Sequence, residues 1–205
     1  MRYILFPIIC SLLLTGVNAQ MTSGYKFGIN LTTMKIETPG ITSSPSRPVG
    51  IHFGGNFEIP VSGKFYFQSG FLFTSKGTDY AIDSTYISLA PSFIEVPLNL
   101  TFKFGHGRYS RFFLYSGPYL SCAMGGYKIT GSDPIYNLSW GKGGDLRPFD
   151  FGFNFGAGIN RKGHTFTIQY GTGLSNLAPF KGSVMKNRVI GISIGSLMAP
   201  KKKKK

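Results

Sequence analysis

The sequence predicts an all-β fold: an eight-stranded antiparallel up-and-down transmembrane β-barrel. Three observations carry this. Ile94 to Phe104 (IEVPLNLTFKF) alternates without a fault, with Ile94, Val96, Leu98, Leu100, Phe102 and Phe104 on one face and Glu95, Pro97, Asn99, Thr101 and Lys103 on the other. A period of two is the signature of a strand with one apolar and one polar face. Its length matches the ~9–11 residues that a tilted strand needs to cross a bilayer. The pattern recurs along the chain, and the connections between its repeats alternate long and short. Short turns at one end and long loops at the other are the asymmetry of outer-membrane barrels.

The strands follow in order. Tyr25–Thr33 sets Tyr25, Phe27, Ile29 and Leu31 against Lys26, Gly28, Asn30 and Thr32. Met34–Val49 is rich in Pro, Ser, Thr and Gly and reads as a long loop. Ile51–Ile59 and Lys64–Thr74 flank the tight turn Pro60–Gly63. Lys76–Ser92 reads as the second long connection, before Ile94–Phe104. After the turn Gly105–Ser110, the strand Phe112–Ala123 is aromatic on both faces, and Phe113, Tyr115 and Tyr119 are assigned outward. Tyr127–Pro148 reads as the longest irregular stretch, with Gly141–Asp145 as a flexible tip. Phe149–Ile159, Thr165–Gly173 and Arg188–Met198 complete the set. Pro97 removes a ladder donor in a strand paired on both sides, so a local bulge or kink is expected there.

The apolar faces carry almost no charge. The opposite faces carry Lys26, His52, Glu58, Lys64, Gln68, Glu95, Lys103, Asp150 and Gln169, with many glycines. Small and polar residues suit a crowded lumen, and opposite charges there can pair. A soluble ligand-binding barrel would put more charge and fewer glycines on its polar, solvated face. Aromatics gather at strand ends. Tyr25, Phe65, Phe104, Phe113 and Phe166 form one expected belt, and Phe53, Phe73 and Phe149 the other.

Arg2, the apolar run Ile4–Leu14 and the small residues of Val17-Asn18-Ala19 describe an export signal over residues 1–19, cut between Ala19 and Gln20. The barrel is expected over 20–198, with a basic tail at 199–205. Both termini then fall at the short-turn, periplasmic side of the outer membrane. The net charge of +14 includes the lysines Lys201–Lys205. The other basic residues are dispersed, which argues against nucleic acid as a partner; outer-membrane lipid is the expected surroundings. No Cys/His spacing suggests zinc, Gly141–Asp145 lacks the frame of a phosphate loop, and no cofactor is expected. His52, near the long-loop rim, has only Asp79, Asp83 and Ser84 as distant candidates for a hydrolytic triad. His106 and His164 sit at the short-turn end. No enzymatic activity is expected.

Tyr25–Asn30 (YKFGIN), Phe67–Gly77 (FQSGFLFTSKG), Ile94–Gly105 (IEVPLNLTFKFG), Leu114–Leu120 (LYSGPYL) and Phe149–Ile159 (FDFGFNFGAGI) together resemble the Bacteroidetes outer-membrane β-barrel family of PorT-like, or "porin family", proteins. The resemblance spans nearly the whole chain after the signal. It implies outer-membrane location, insertion by the barrel-insertion machinery, and no shared catalytic residues. It allows a role beside the type IX secretion apparatus. One departure is the last strand, which ends Ser196-Leu197-Met198 where such barrels end on an aromatic. Eight strands enclose a lumen that side chains fill. The expected function is therefore binding or scaffolding through the long outer loops, with an extracellular or secretion-system protein as the possible partner. A narrow channel for small solutes is the alternative.

Overall fold

The computed structural model describes residues 21–37, 41–43, 48–82, 85–105, 110–131 and 133–198. The expected signal segment with Ala19 and Gln20, Asp83, Ser84, His106 and the tail Lys201–Lys205 lie outside the described residues. The strands are β1 (Thr22–Glu37), β2 (Ile41–Ser43), β3 (Val49–Ser62), β4 (Phe65–Ser75), β5 (Thr78–Ile82), β6 (Thr85–Phe104), β7 (Ser110–Thr130), β8 (Tyr136–Asn137), β9 (Phe149–Arg161), β10 (His164–Gly173) and β11 (Val184–Ser196).

Eight of them close a ring in the order β1-β3-β4-β6-β7-β9-β10-β11, every pair antiparallel. The seam joins first and last: Phe27 faces Phe53 on β3 and Ile194 on β11. Below it, Ser23 and Met198 exchange backbone hydrogen bonds of 3.2 and 3.0 Å. Closure leaves the ring no unpaired edge, the condition for placing strands in lipid. Phe27, Ile29, Leu31, Leu100, Leu114, Ile168 and Ile192 point outward, as lipid requires. Between β9 and β10 the two-residue turn Lys162-Gly163 has φ of 52° and 89°, the left-handed pair that matches strand twist in a tight hairpin.

The strands overrun their expected lengths at the long-loop end. β1 continues to Glu37, and β7 continues to Thr130. Lys76–Ser92 is not a loop: β5 and β6 form a hairpin there, from Thr78 opposite Leu89 to Ile82 opposite Thr85. β2 joins its outer side, and β8 joins β7. The two-residue period fades in these segments because neither face meets lipid or lumen, so the hydrophobic alternation that betrays a strand is lost. β6 and β7, of 20 and 21 residues, therefore continue for about 25–30 Å of strand length beyond the bilayer-spanning part, at ~3.3 Å per residue.

Three further expectations are corrected. The register through Pro97 does not shift. The ladder merely pauses, with Val96 and Pro97 unpaired toward β4 and Leu98 and Asn99 toward β7. The bulge lies higher, where Met124 is the extra residue opposite Ser92 and Phe93. Lys64 is not a lumen residue: it sits exposed in the β3–β4 turn, one residue outside the ladder. Phe113, Tyr115 and Tyr119 face inward, so Phe113 leaves the belt. They lie opposite Gly158, Gly156 and Gly152 on β9. A Cβ at Gly156 would fall 2.5 Å from the Tyr115 hydroxyl, and one at Gly152 2.6 Å from the Tyr119 ring. The glycines of one strand make the room that the rings of the next fill.

Candidate functional site: a polar lumen beneath a folded head

The lumen is built from inward residues of alternate parity, and its polar groups form three layers. Nearest the short turns, Lys103 pairs with Glu58, which also accepts from Gln68 Nε2 at 3.3 Å. The Lys103 ammonium lies 4.1 Å above the Tyr66 ring. In the middle, Lys26 Nζ donates to Gln169 Oε1 at 2.5 Å, which also accepts from the Tyr115 hydroxyl at 3.1 Å. Nearest the long loops, Lys76 Nζ lies 2.9 Å from Glu95 Oε2 and 3.2 Å from Asp150 Oδ2. It also lies 4.3 Å from the Tyr119 ring centre.

Asp150 is the most heavily bonded of these groups. Its side chain accepts from the Tyr119 hydroxyl (3.0 Å), Asn187 Nδ2 (2.8 Å) and Ser175 Oγ (2.7 Å). Glu95 accepts from Asn154 Nδ2 at 3.3 Å. Strands β6, β7 and β9 thus converge on one ammonium, held one residue past the end of β4, whose side chain is only 3% exposed. Such a group is tolerable in a low-dielectric interior only because it is paired and hydrogen-bonded. Among the described residues the three layers hold three lysines and three carboxylates, so their formal charges cancel. A cavity of about 20 Å³ between Lys26, Glu95, Asn99 and Tyr115 has room for a water molecule.

Lys76 was missed in the sequence because it looked like the first residue of a loop. Its signal was parity: Gln68, Gly70, Leu72 and Thr74 point inward, and Lys76 is the next step on that row. His52 is buried, with Nδ1 2.8 Å from Asn30 Oδ1, and Asn30 donates to Thr74 Oγ1 at 3.1 Å. A triad needs a carboxylate on one ring nitrogen and a nucleophile on the other; His52 has an amide on one, and Nε2 has no partner among the described residues. Of the expected belt residues, Tyr25, Phe53, Phe65, Phe104, Phe149 and Phe166 point outward. Phe73 is half-buried against Phe53 at 5.1 Å. Phe112 takes the outward place expected for Phe113 and stacks on Phe104 at 5.9 Å.

Above the lumen, the long connections fold into a head with its own core. Met34, Leu89, Leu138, Leu146, Leu177, Ala178 and Met185 are buried together, with Ile36, Tyr80, Ile87 and Trp140 packed around them. Backbone bonds tie the loops: Arg147 N–H donates to Leu177 O at 2.9 Å, and Leu177 N–H to Met185 O at 2.8 Å. Asn176 Oδ1 accepts from the amides of Ala178 and Met185. Gly141–Asp145, expected as a flexible tip, is a closed turn. Asp145 Oδ2 accepts from Ser139 N (2.9 Å) and Oγ (2.7 Å), while its Oδ1 receives Lys128 Nζ at 2.5 Å. Burial alone would raise the Asp145 pKa. Lys128 and the Ser139 donors outweigh it and hold the carboxyl below its ordinary 3.8.

A closed eight-stranded ring, apolar outside and polar inside, defines a membrane-spanning β-barrel. The family model for the outer membrane protein beta-barrel domain matches residues 18–178. The chain belongs to that family and is a small β-barrel of the bacterial outer membrane, in contact with its lipids. Solved structures similar to it include Neisserial surface protein A (10% identity, TM-score 0.46, covering 88% of this chain and 99% of that one). They also include Ail, the attachment invasion locus protein of Yersinia pestis, in complex with the heparin analogue sucrose octasulfate (12%, 0.41, 86% and 99%). A third is the N-terminal β-barrel domain of Pseudomonas aeruginosa OprF (11%, 0.39, 87% and 98%). Comparison with curated proteins gives no significant match.

Proposed function

We propose that this protein is a closed barrel whose work is done by its head: the lumen is a structural plug, and the packed outer loops bind or scaffold a partner outside the cell. The observation that carries this reading is the head core. Leu89 on β6 shares that core with Leu146 and Leu177 of the long connections, and long loops in a compact domain are usually functional or disordered. The head also leaves Ile135, Tyr136 and Phe180 exposed, away from the bilayer-spanning rows. Apolar side chains held on a rigid, water-facing element suit recognition of a protein surface. The reading includes removal of residues 1–19, testable by the N-terminal mass of the membrane-extracted protein, and periplasmic termini, testable by impermeant labelling of the loops in intact cells. It treats Lys26, His52, Glu58, Gln68, Glu95, Lys103, Asp150 and Gln169 as plug residues.

The experiment is photo-crosslinking in intact cells from Tyr136 and Phe180, with lipid-facing Phe71 as control. A discrete protein adduct from the head positions and not from Phe71 is expected. Adducts from none of them would contradict the binding role. The PorT-like resemblance makes the reading finer, with a secretion assembly as the partner; a deletion strain that secretes cargo normally would remove that version.

A further inference from the structure

The outward face of the β1–β11 seam changes chemistry abruptly. Along β1 the outward row runs Tyr25, Phe27, Ile29, Leu31 and then Thr33, Lys35, Glu37; along β11 it runs Ile194, Ile192, Ile190 and then Arg188, Lys186. Met21 to Leu31 is about the 9–11 residues that a tilted strand spends in lipid. Lys35, Lys186 and Arg188 therefore stand at the rim, just past the hydrocarbon on the long-loop side.

Lys35 is the direct cross-strand partner of Lys186, and Thr33 of Arg188. Like charges directly opposite destabilise a strand pair. Glu37 offsets only part of this. It pairs with Lys35, whose hydrogen bond and charge are the main causes holding its carboxyl below the ordinary range, with smaller pulls from Lys186 and Arg188. Among the described residues, Lys186 and Arg188 make no ion pair, and the cluster is left with two positive charges in excess. A surface that sets three cations at one rim, directly above an apolar wall, is complementary to an amphiphile with acyl chains and a multivalent anionic head. Arg188 adds a planar fork suited to phosphate oxygens.

We propose that Lys35, Lys186 and Arg188 form a binding site for the phosphorylated glycolipid headgroup of the outer leaflet, with its acyl chains against Leu31, Ile190 and Ile192. This rests on the orientation given above, with long loops outside. The test uses the full-length protein in detergent. Native mass spectrometry measures binding of phosphorylated lipid A, dephosphorylated lipid A and phosphatidylglycerol to the parent, to a Lys186→Gln/Arg188→Gln variant, and to a Lys142→Gln/Lys181→Gln control. Phosphorylated lipid A is expected to bind in preference to the other two. The seam variant should weaken it on the order of 10- to 30-fold, at about 1 kcal/mol per basic residue, and the control should not.

Equal binding of dephosphorylated lipid A, or an unchanged seam variant, would overturn the site. Competition by millimolar inorganic phosphate would mark a free-anion site and overturn the lipid assignment. Impermeant maleimide labelling of Lys142→Cys in a Cys122→Ser background, in intact cells, reports orientation separately. Labelling with no lipid A preference defeats the site alone. Absence of labelling defeats the orientation on which it rests.

Discussion

Lys76 is the residue on which the upper lumen converges, and its replacement separates pairing from packing. Lys76→Ala leaves Glu95 and Asp150 buried without their cation, and breaking such a pair costs about 3–5 kcal/mol. The triple variant Lys76→Met/Glu95→Gln/Asp150→Asn removes all three charges while keeping their volumes. It should recover most of that loss, as read from thermal unfolding in detergent. Gly156 makes a second residue-scale prediction. Its Cβ position is occupied by the Tyr115 ring, so Gly156→Val must displace that ring from Gln169. Overpacking costs about 1–3 kcal/mol, and a lower temperature for loss of heat-modifiable gel mobility would register it. The inward turn of Tyr115 and Tyr119 was legible in principle. Their row also holds Gly117 and Ser121, and its hydroxyls need partners, whereas Phe112, Leu114 and Leu120 carry nothing polar. Ser116 and Pro118 on the outward row blurred the contrast.

At the scale of elements, the bilayer-spanning strands announced themselves because two different solvents, lipid and lumen, impose alternation. Ile94–Phe104 and Phe149–Ile159 were readable for that reason. The upper β1, β5, the upper β6 and β7, and the head loops were not. Their burial depends on a core shared by segments far apart in sequence, such as those of Met34, Leu89 and Leu177, and no local period encodes that. The Ser139–Leu146 turn gives a pH test of this region. Asp145 has a depressed folded pKa, so its contribution is present at neutral pH and is lost as pH falls through that lower value. Hydrogen exchange of Ser139–Leu146, corrected for intrinsic rates, should quicken as pH falls below the ordinary carboxyl value of 3.8. Asp145→Asn should show the quicker rate at neutral pH, an effect of about 1 kcal/mol or less for a partly exposed pair. Unchanged exchange in the variant would mean the backbone bonds alone hold the turn.

For the whole molecule, the two ends are built differently. The short-turn end closes on itself through Ser23 and Met198. The long-loop end raises β6 and β7 opposite the lower β1–β11 seam and roofs the ring with a packed core. In the proposed reading, side chains between them occupy the space a channel would need; a cavity of about 20 Å³ lies among Lys26, Glu95, Asn99 and Tyr115. The central claim is that this barrel presents a head and does not conduct. Planar-bilayer recording of the purified, correctly folded protein tests it most directly. The expected result is no stepwise conductance from the parent. Discrete, steady channels from the parent at neutral pH would contradict it.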